Sequence, residues 1–236
     1  MDATHDTAIG RRVVLGMLAL GGAGIVWGSK VADGLSRVLA PITAADRTGI
    51  TALFPAAGGF RIYSVTGSLP RRSRDAWSMV VDGLVERPAT VRFADLAALP
   101  QRRVVRDFQC VTGWRVRQVP WSGVRLADVL DAAGVKPDAK AVRLESFDGV
   151  YTESLTLPQA RLDDVFVATA MRDKPISSAH GGPVRIFVGP MYGYKSLKWL
   201  SRIELTSEVI PGYWEQRGYD IDAFVGKSNA RDDDPT

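Results

Sequence analysis

The chain has 236 residues, of which 46% are hydrophobic, and 30 Lys and Arg against 26 Asp and Glu give a formal net charge of +4. This is an ordinary globular composition, enough for one core and a small accessory segment. The mild basic excess comes without any recognition-helix, zinc-finger or RNA-binding pattern, so we expect no nucleic-acid partner. One cysteine in the whole chain excludes an internal disulfide and a Cys-x-x-Cys metal clip.

The N-terminal segment differs from the rest of the chain. Arg11 and Arg12 precede an apolar run over residues 13–28, which is shorter than the ~20 residues of a comfortable membrane span. Paired arginines before a short apolar stretch are typical of a twin-arginine export signal. We therefore predict that residues 1–30 form an apolar helix that is a signal or membrane anchor. The protein would then be exported or held at the extracytoplasmic face of the membrane; the alternative is a buried core helix.

The remaining chain divides into a linker over residues 31–59, a folded domain over 60–220 and a flexible tail over 221–236. Alternation of apolar and polar residues predicts strands over 61–65, 77–81, 102–109, 141–147, 150–155, 165–171, 184–188 and 199–205. Helical patterns cover 90–99, 126–133 and 157–162. Many short strands with brief helices predict an α+β, sheet-dominated domain.

The single cysteine, Cys110, lies in the segment Asp107-Phe108-Gln109-Cys110-Val111-Thr112-Gly113-Trp114. A lone cysteine is a buried apolar filler, a nucleophile, or one soft thiolate ligand of a metal that is held mostly by something else. Arg106 stands close by in the sequence, where it is either a contact for a substrate anion or an ordinary charge on a strand edge.

Two later segments bear on the choice among these three roles of Cys110. They are His180-Gly181-Gly182-Pro183-Val184-Arg185 and Tyr192-Gly193-Tyr194-Lys195-Ser196-Leu197-Lys198-Trp199. A cysteine hydrolase that uses Cys110 and His180 remains open on the residues alone; it predicts activity without metal and inactivation by thiol alkylation.

Together with Ser146-Phe147-Asp148-Gly149-Val150-Tyr151 and the stretch 211–219, these segments resemble, in order and spacing, the molybdopterin-binding domain of the sulfite oxidase superfamily. The closest likeness is to the compact bacterial branch that includes the catalytic subunit of the periplasmic methionine sulfoxide reductase. The resemblance runs from about residue 60 to residue 219. It implies the sulfite-oxidase-type fold and a cofactor made of molybdenum and a pterin dithiolene.

The resemblance also implies roles for individual residues. Cys110 would ligate the metal as a thiolate and Arg106 would act at the catalytic centre. The cofactor-binding positions that the resemblance implies are Tyr63, Cys110, Ser146, His180, Arg185, Lys195, Ser196 and Lys198.

The function implied is an oxidoreductase that moves an oxygen atom to or from a small substrate, either a sulfoxide or an oxyanion such as sulfite. Electrons would come from or go to an external carrier such as a haem or quinone-linked membrane protein, because the chain carries no haem motif. We expect a monomer. The rival function is a non-catalytic anchored binding domain of the same fold that has lost the cofactor, which predicts a folded protein without molybdenum.

Overall fold

A computed structural model describes residues 59–236, within which residues 62–236 form one compact unit. The predicted N-terminal helix, signal or anchor and nearly all of the predicted linker lie outside the described residues. No helix within residues 59–236 is long and apolar enough to cross a membrane.

Ten strands and three short α-helices make up the regular structure of this part of the chain. The strands are β1 (Ser78–Gly83), β2 (Ala89–Arg92), β3 (Arg102–Gln109), β4 (Arg115–Arg125), β5 (Ala141–Ser146), β6 (Thr152–Thr156), β7 (Val165–Met171), β8 (Lys174–Pro175), β9 (Arg185–Val188) and β10 (Leu200–Thr206). The helices are α1 (Phe93–Ala98), α2 (Leu126–Ala133) and α3 (Leu157–Ala160), and short 3₁₀ turns cover Ser178–His180, Gly193–Lys195 and Glu215–Arg217.

The strands form two sheets. The first has the order β2-β1-β10-β5-β6, with β1 and β10 parallel and the other neighbours antiparallel. The second has the order β3-β4-β7-β8, and β9 also pairs with β7. Buried residues from both sheets belong to one hydrophobic cluster, in which Leu144 and Ile203 represent the first sheet and Val167 and Ile186 the second. The α+β, sheet-dominated fold class predicted from the sequence is therefore confirmed for the described residues.

Several predicted elements appear with the predicted bounds, among them the strands 102–109 and 165–171 and the helix 126–133. The helix α2 ends where Gly134 adopts φ +73° and returns its N–H to the carbonyl of Leu130, a conformation that glycine adopts without strain. The predicted helix 90–99 is wrong in its first part, because residues 89–92 pair with β1 as a strand. Tertiary pairing has overridden the local helical pattern there.

Two further differences lie near the candidate site. The predicted strand 61–65 is absent, and the chain instead turns at Ser64–Gly67, where the N–H of Gly67 donates to the carbonyl of Ser64. The eleven-residue strand β4 was not predicted, since Pro120 and Gly123 interrupt its pattern. The structure accommodates both residues, with an irregular register between Ser122 and Gly123 where β4 meets β7.

The segment 221–236, predicted to be a flexible tail, packs against the domain in this structure. Ala223 and Val225 are buried, Phe224 forms an isolated bridge with Met191, and the Thr236 hydroxyl donates to the carbonyl of Gly189. Ala223 and Val225 thus give the segment a buried apolar face.

Candidate active site

Cys110 occupies the tight turn between β3 and β4. Its N–H donates to the carbonyl of Trp114 (2.9 Å), and its own carbonyl accepts from the N–H of Gly113 (3.0 Å). Gly113 has φ +98°, which a residue with a side chain rarely adopts. The side chain is half-buried, and its Sγ lies 3.2 Å from Oγ1 of Thr112. The turn thus presents the thiol at the end of a hairpin rather than in the core.

Gln109 and Arg115 stabilise this turn through hydrogen bonds. The amide Nε2 of Gln109 donates to the carbonyl of Cys110 (3.0 Å), and its Oε1 accepts from Nε of Arg115 (2.6 Å). Arg115 also faces Asp107 at 3.5 Å and donates to the carbonyl of Asp234. These contacts fix the backbone that carries the thiol and connect it to the segment 221–236.

Three cationic or titratable side chains, His180, Arg185 and Lys198, form what we call the cationic basin. Arg185 is buried, and among residues 59–236 its guanidinium donates to the carbonyls of His180 (2.7 Å), Ser196 (2.6 Å) and Ile186 (3.2 Å). No ion pair joins Arg185 or Lys198 to a carboxylate anywhere in residues 59–236. Arg185 and Lys198 therefore bring together positive charge without a carboxylate partner in the described part of the chain.

The pKa values in the basin respond to this arrangement. Burial lowers the pKa of Arg185 to about 10. The pKa of His180 falls to about 4 through burial and through the charges of Arg185 and Lys198. Burial and Arg185 lower the pKa of Lys198 to about 7, against the opposing effect of Asp148. Each direction means that positive charge is disfavoured here, and an anionic ligand would relieve that cost.

Close backbone contacts shape the basin. Gly181 has φ +93°, and a Cβ placed on it would lie 2.5 Å from Cβ of Lys198. The N–H of Trp199 donates to the carbonyl of Gly181, and its indole Nε1 donates to that of Ser178 (2.8 Å). The glycine is thus needed for the 180–185 loop and the 195–199 loop to meet.

Aromatic side chains connect the basin to the Cys110 turn. Tyr63 stacks on Trp114 with ring centroids 6.4 Å apart, and its carbonyl accepts from Nζ of Lys198. The guanidinium of Arg185 lies 5.8 Å from the centroid of Phe108, whose ring packs so closely on Gly193 that a Cβ there would lie 2.5 Å from it. The structure therefore brings Cys110, Tyr63, His180, Arg185 and Lys198 to the same part of the molecule.

The predicted serines fix the turns around the basin. The hydroxyl of Ser146 accepts from the N–H of Asp148 (3.1 Å), and that of Ser196 accepts from the N–H of Val188 (3.0 Å). Both residues are buried. In addition, Ser196 offers its carbonyl to Arg185, so its backbone forms part of the basin wall.

Arg106 and Lys195 have partners within the protein. Nε of Arg106 donates to Oδ2 of Asp164 (2.6 Å) in a partly exposed ion pair. Nζ of Lys195 is fully buried and contacts Glu153, Glu215 and the carbonyl of Ser154. Both side chains therefore have their charges matched by carboxylates, and the geometry does not bring either charge into the basin.

Sequence reasoning did not identify the functional interest of Gln109, Arg115 and Asp148. Oδ2 of Asp148 is buried with no hydrogen-bond partner in the described residues, and its charge acts on Lys198. The sequence carries no signal for this interaction, because Asp148 and Lys198 are fifty positions apart in the chain.

The fold and the site define a sheet-based domain that places an accessible thiol beside a cationic basin. The family model described as the oxidoreductase molybdopterin binding domain matches residues 66–214, which is more than half of the chain. The chain belongs to this family, and the predicted membership of the sulfite oxidase superfamily of molybdopterin-binding oxidoreductases is confirmed.

Individual relatives agree with this assignment. The chain is 37% identical over 155 residues to the uncharacterized oxidoreductase YuiH of Bacillus subtilis, covering 65% of this chain and 78% of that protein. It is 28% identical to the protein-methionine-sulfoxide reductase catalytic subunit MsrP of Campylobacter jejuni, covering 59% of this chain and 52% of the relative. It is 38% identical to the mitochondrial sulfite oxidase of Drosophila melanogaster, covering 60% of this chain and 27% of the relative.

A solved structure supports the fold. The sulfane dehydrogenase SoxCD of Paracoccus pantotrophus matches with a TM-score of 0.55 at 22% identity, covering 61% of this chain and 41% of that one. The chain therefore spans about a quarter to a half of the length of the named enzymes it resembles, and three quarters of YuiH.

Proposed function

We propose that this protein is a molybdenum-cofactor-dependent oxidoreductase that moves an oxygen atom to or from a small substrate. The observation that carries the proposal is the meeting of the Cys110 turn and the cationic basin through Phe108 and Tyr63. The sulfite oxidases and sulfoxide reductases among the relatives support the same reaction class.

The residues fit such a cofactor. Cys110 offers one soft thiolate, which suits a metal whose other sulfur ligands come from the pterin dithiolene. Arg185 and Lys198 offer positive charge without a contacting carboxylate, which suits a phosphate group. Gly181 allows the backbone to come close at that point. When bound, the cofactor would supply the two-electron redox chemistry of the oxygen transfer.

In this proposal the side chains of the protein hold and orient the cofactor and neutralise its charge. His180, with a pKa of about 4, is uncharged at pH 7 and offers a neutral ring to the pterin. Arg185 and Lys198 balance the charge of an anionic tail, and Tyr63, Ser146 and Ser196 keep the surrounding turns in place. Because Lys195 is already neutralised, we do not include it among the residues that hold the phosphate.

The surroundings of Cys110 favour a neutral substrate. Arg106 and Arg115, the arginines nearest to the thiol in sequence, are matched by Asp164 and Asp107. The exposed face beside the turn is instead the stack of Tyr63 on Trp114. A polarizable, neutral sulfoxide packs on such a face better than a sulfite dianion, which needs uncompensated cations.

We further propose that the protein works outside the cytoplasm and exchanges electrons with a separate haem or quinone-linked membrane protein. The paired arginines before the apolar run at residues 13–28 support the location. The MsrP relatives are named as catalytic subunits, which supports a separate electron carrier.

The test is metal analysis with a visible absorption spectrum on protein made in a host that synthesises the cofactor. We expect near-stoichiometric molybdenum and a thiolate charge-transfer band that disappears in Cys110→Ala but persists in the matched control Thr112→Val. The wild-type protein should reduce a thioether sulfoxide with a dye donor faster than it oxidises sulfite. Folded wild-type protein without molybdenum would instead establish the non-catalytic binding domain.

A further inference from the structure

Three ionisable side chains from three separate elements meet in the interior. Glu153 lies on β6, Lys195 on the 3₁₀ turn Gly193–Lys195, and Glu215 on the 3₁₀ turn Glu215–Arg217. Their side chains are 0%, 0% and 1% exposed. Since charged residues are almost never fully buried unless paired, this buried triad needs an explanation of its own.

The ammonium group of Lys195 has three hydrogen-bond partners, two in the triad and one backbone carbonyl. It lies 2.9 Å from Oε1 of Glu153 and 2.9 Å from the carbonyl of Ser154, and it contacts Oε1 of Glu215. Oε1 of Glu153 also accepts from the N–H of Ser154. One oxygen of each carboxyl group is therefore satisfied.

The second oxygen of each carboxyl group is not. Oε2 of Glu153 and Oε2 of Glu215 are both buried, and with both groups ionised neither accepts a hydrogen bond from a donor among the described residues. If both carboxyl groups were ionised, one ammonium and two carboxylates would leave a net charge of −1 in the interior, which is costly. One added proton makes the triad neutral and gives the free oxygens a hydrogen bond.

The pKa shifts of Glu153 and Glu215 agree with one added proton in the triad. Burial raises the pKa of Glu153 well above its ordinary value, and hydrogen bonding with Glu215 adds to the rise, against the opposing charge of Lys195. Burial also acts to raise the pKa of Glu215, but hydrogen bonding with Glu153 and the charge of Lys195 bring it below its ordinary value. The neighbouring Tyr151 and Tyr194 donate their hydroxyls to carbonyls and supply no charge.

We propose that Glu153 and Glu215 share one proton above Lys195, and that the neutral triad is a positioning device for the cationic basin. Lys195 is followed directly by Ser196, whose carbonyl holds the guanidinium of Arg185. Tyr151 reinforces the same loop by donating to the carbonyl of Tyr194. The positioning part rests on the proposed function, since it assigns the basin to the cofactor; the shared proton does not.

The shared proton predicts that the stability of the folded protein falls as the pH rises. Glu153 has a raised pKa in the folded state, so the folded protein binds more protons than the unfolded chain above the ordinary pKa of 4.5. The stabilisation is complete below that value and is lost as the pH rises toward the folded-state pKa. Within this window the unfolding constant attributable to Glu153 rises about tenfold per pH unit.

The experiment compares unfolding of the full-length wild type, Glu153→Gln, Glu153→Ala and the double variant Glu153→Gln/Glu215→Gln between pH 5 and pH 8. Glutamine reproduces a protonated glutamate, since its Oε1 still accepts from Lys195 and its NH₂ donates to Glu215. We therefore expect Glu153→Gln to fold as well as wild type and to lose the pH dependence assigned to Glu153. The double variant leaves Lys195 without a counter-charge and should raise the unfolding constant at least about 100-fold.

Glu153→Ala removes both the hydrogen-bond donor and the volume of the side chain, whereas Glu153→Gln keeps both. We expect Glu153→Ala to be less stable than wild type and Glu153→Gln to be as stable as wild type. An infrared carbonyl band of a buried protonated carboxyl group should be present in wild type and absent from Glu153→Gln. Glu153→Gln that is as unstable as Glu153→Ala, with no such band in wild type, would overturn the shared proton. Molybdenum content of the same variants tests the positioning role: it should fall in the double variant and persist in Glu153→Gln. Equal molybdenum in all variants would overturn that role, whereas its absence from wild type would reject the proposed function alone.

Discussion

At the scale of single residues, the site depends on which charged side chains have a carboxylate partner and which do not. Lys195 and Lys198 are three positions apart. The first is enclosed by the carboxyl groups of Glu153 and Glu215, whereas the second donates to the carbonyl of Tyr63 and has no ion pair within residues 59–236. Similarly, Arg106 has Asp164 as a partner, while Arg185 donates its hydrogen bonds to carbonyls in the described part of the chain. The unmatched pair, Arg185 and Lys198, is the one placed to receive an anion.

Gly181→Ala tests whether the close contact between position 181 and Lys198 is needed for stability and for molybdenum binding. The added Cβ would lie 2.5 Å from Cβ and 2.8 Å from Cα of Lys198, at a backbone φ of +93°. We expect a loss of about 2–5 kcal/mol in the free energy of unfolding, together with a loss of molybdenum. The measurement is denaturant unfolding with metal analysis.

Gly149→Ala is the matched control, because Gly149 has φ +79° and nothing within 4 Å of its added Cβ. It should lose only the backbone strain, about 1–2 kcal/mol, and keep its molybdenum. Equal losses in the two variants would show that the contact with Lys198 is unimportant.

At the scale of elements, the hairpin of β3 and β4 and the segment 221–236 act together on the thiol. Arg115, on β4, reaches Cys110 through Gln109 and reaches the segment 221–236 through the carbonyl of Asp234. The same segment bonds the loop before the basin, since Asp233 accepts from the hydroxyl of Tyr192. One peripheral segment therefore supports both halves of the site.

Arg115→Ala removes this support. Because Arg115 is only 16% exposed and Gln109 would lose its partner, we expect a loss of about 1–3 kcal/mol in the free energy of unfolding and reduced molybdenum. Arg103→Ala serves as the control, since its pair with Asp173 is 50% and 60% exposed and should contribute less than about 1 kcal/mol. Unchanged molybdenum in Arg115→Ala would mean that the turn holds its shape without it.

At the scale of the whole molecule, both sheets of the described domain contribute residues to one shared hydrophobic cluster. The parallel pairing of β1 with β10 brings the beginning of the domain against a strand more than a hundred residues later. Both sheets contribute fully buried residues, such as Leu144 on β5 and Ile186 on β9. A shared core predicts that the sheets lose their structure together.

Leu144→Ala and Ile186→Ala should therefore lower the same unfolding transition, each by about 2–5 kcal/mol. Far-ultraviolet circular dichroism and tryptophan fluorescence should give coincident curves for the domain in both variants. Val150→Ala, at a residue that is 49% exposed, should change the transition by less than about 0.5 kcal/mol. Separate transitions in which each variant shifts only one would show that the sheets unfold independently.

The sequence alone determined the fold class, the strands 102–109 and 165–171, the helix 126–133 and the family. These depend on local periodicity and on the order of motifs, both of which are present in the chain itself. It also predicted Cys110, His180, Arg185 and Lys198 as site residues, which the structure brings together.

Only the tertiary structure decided which charges are free. Lys195, Ser196 and Lys198 are nearly adjacent in sequence, but Glu153 and Glu215, which enclose Lys195, come from distant positions. The same holds for β4, whose pairing with β3 and β7 outweighs the interruptions at Pro120 and Gly123. Residue type and spacing show where a charge stands along the chain, whereas its partners and its burial depend on contacts between distant segments, and these exist only in the folded protein.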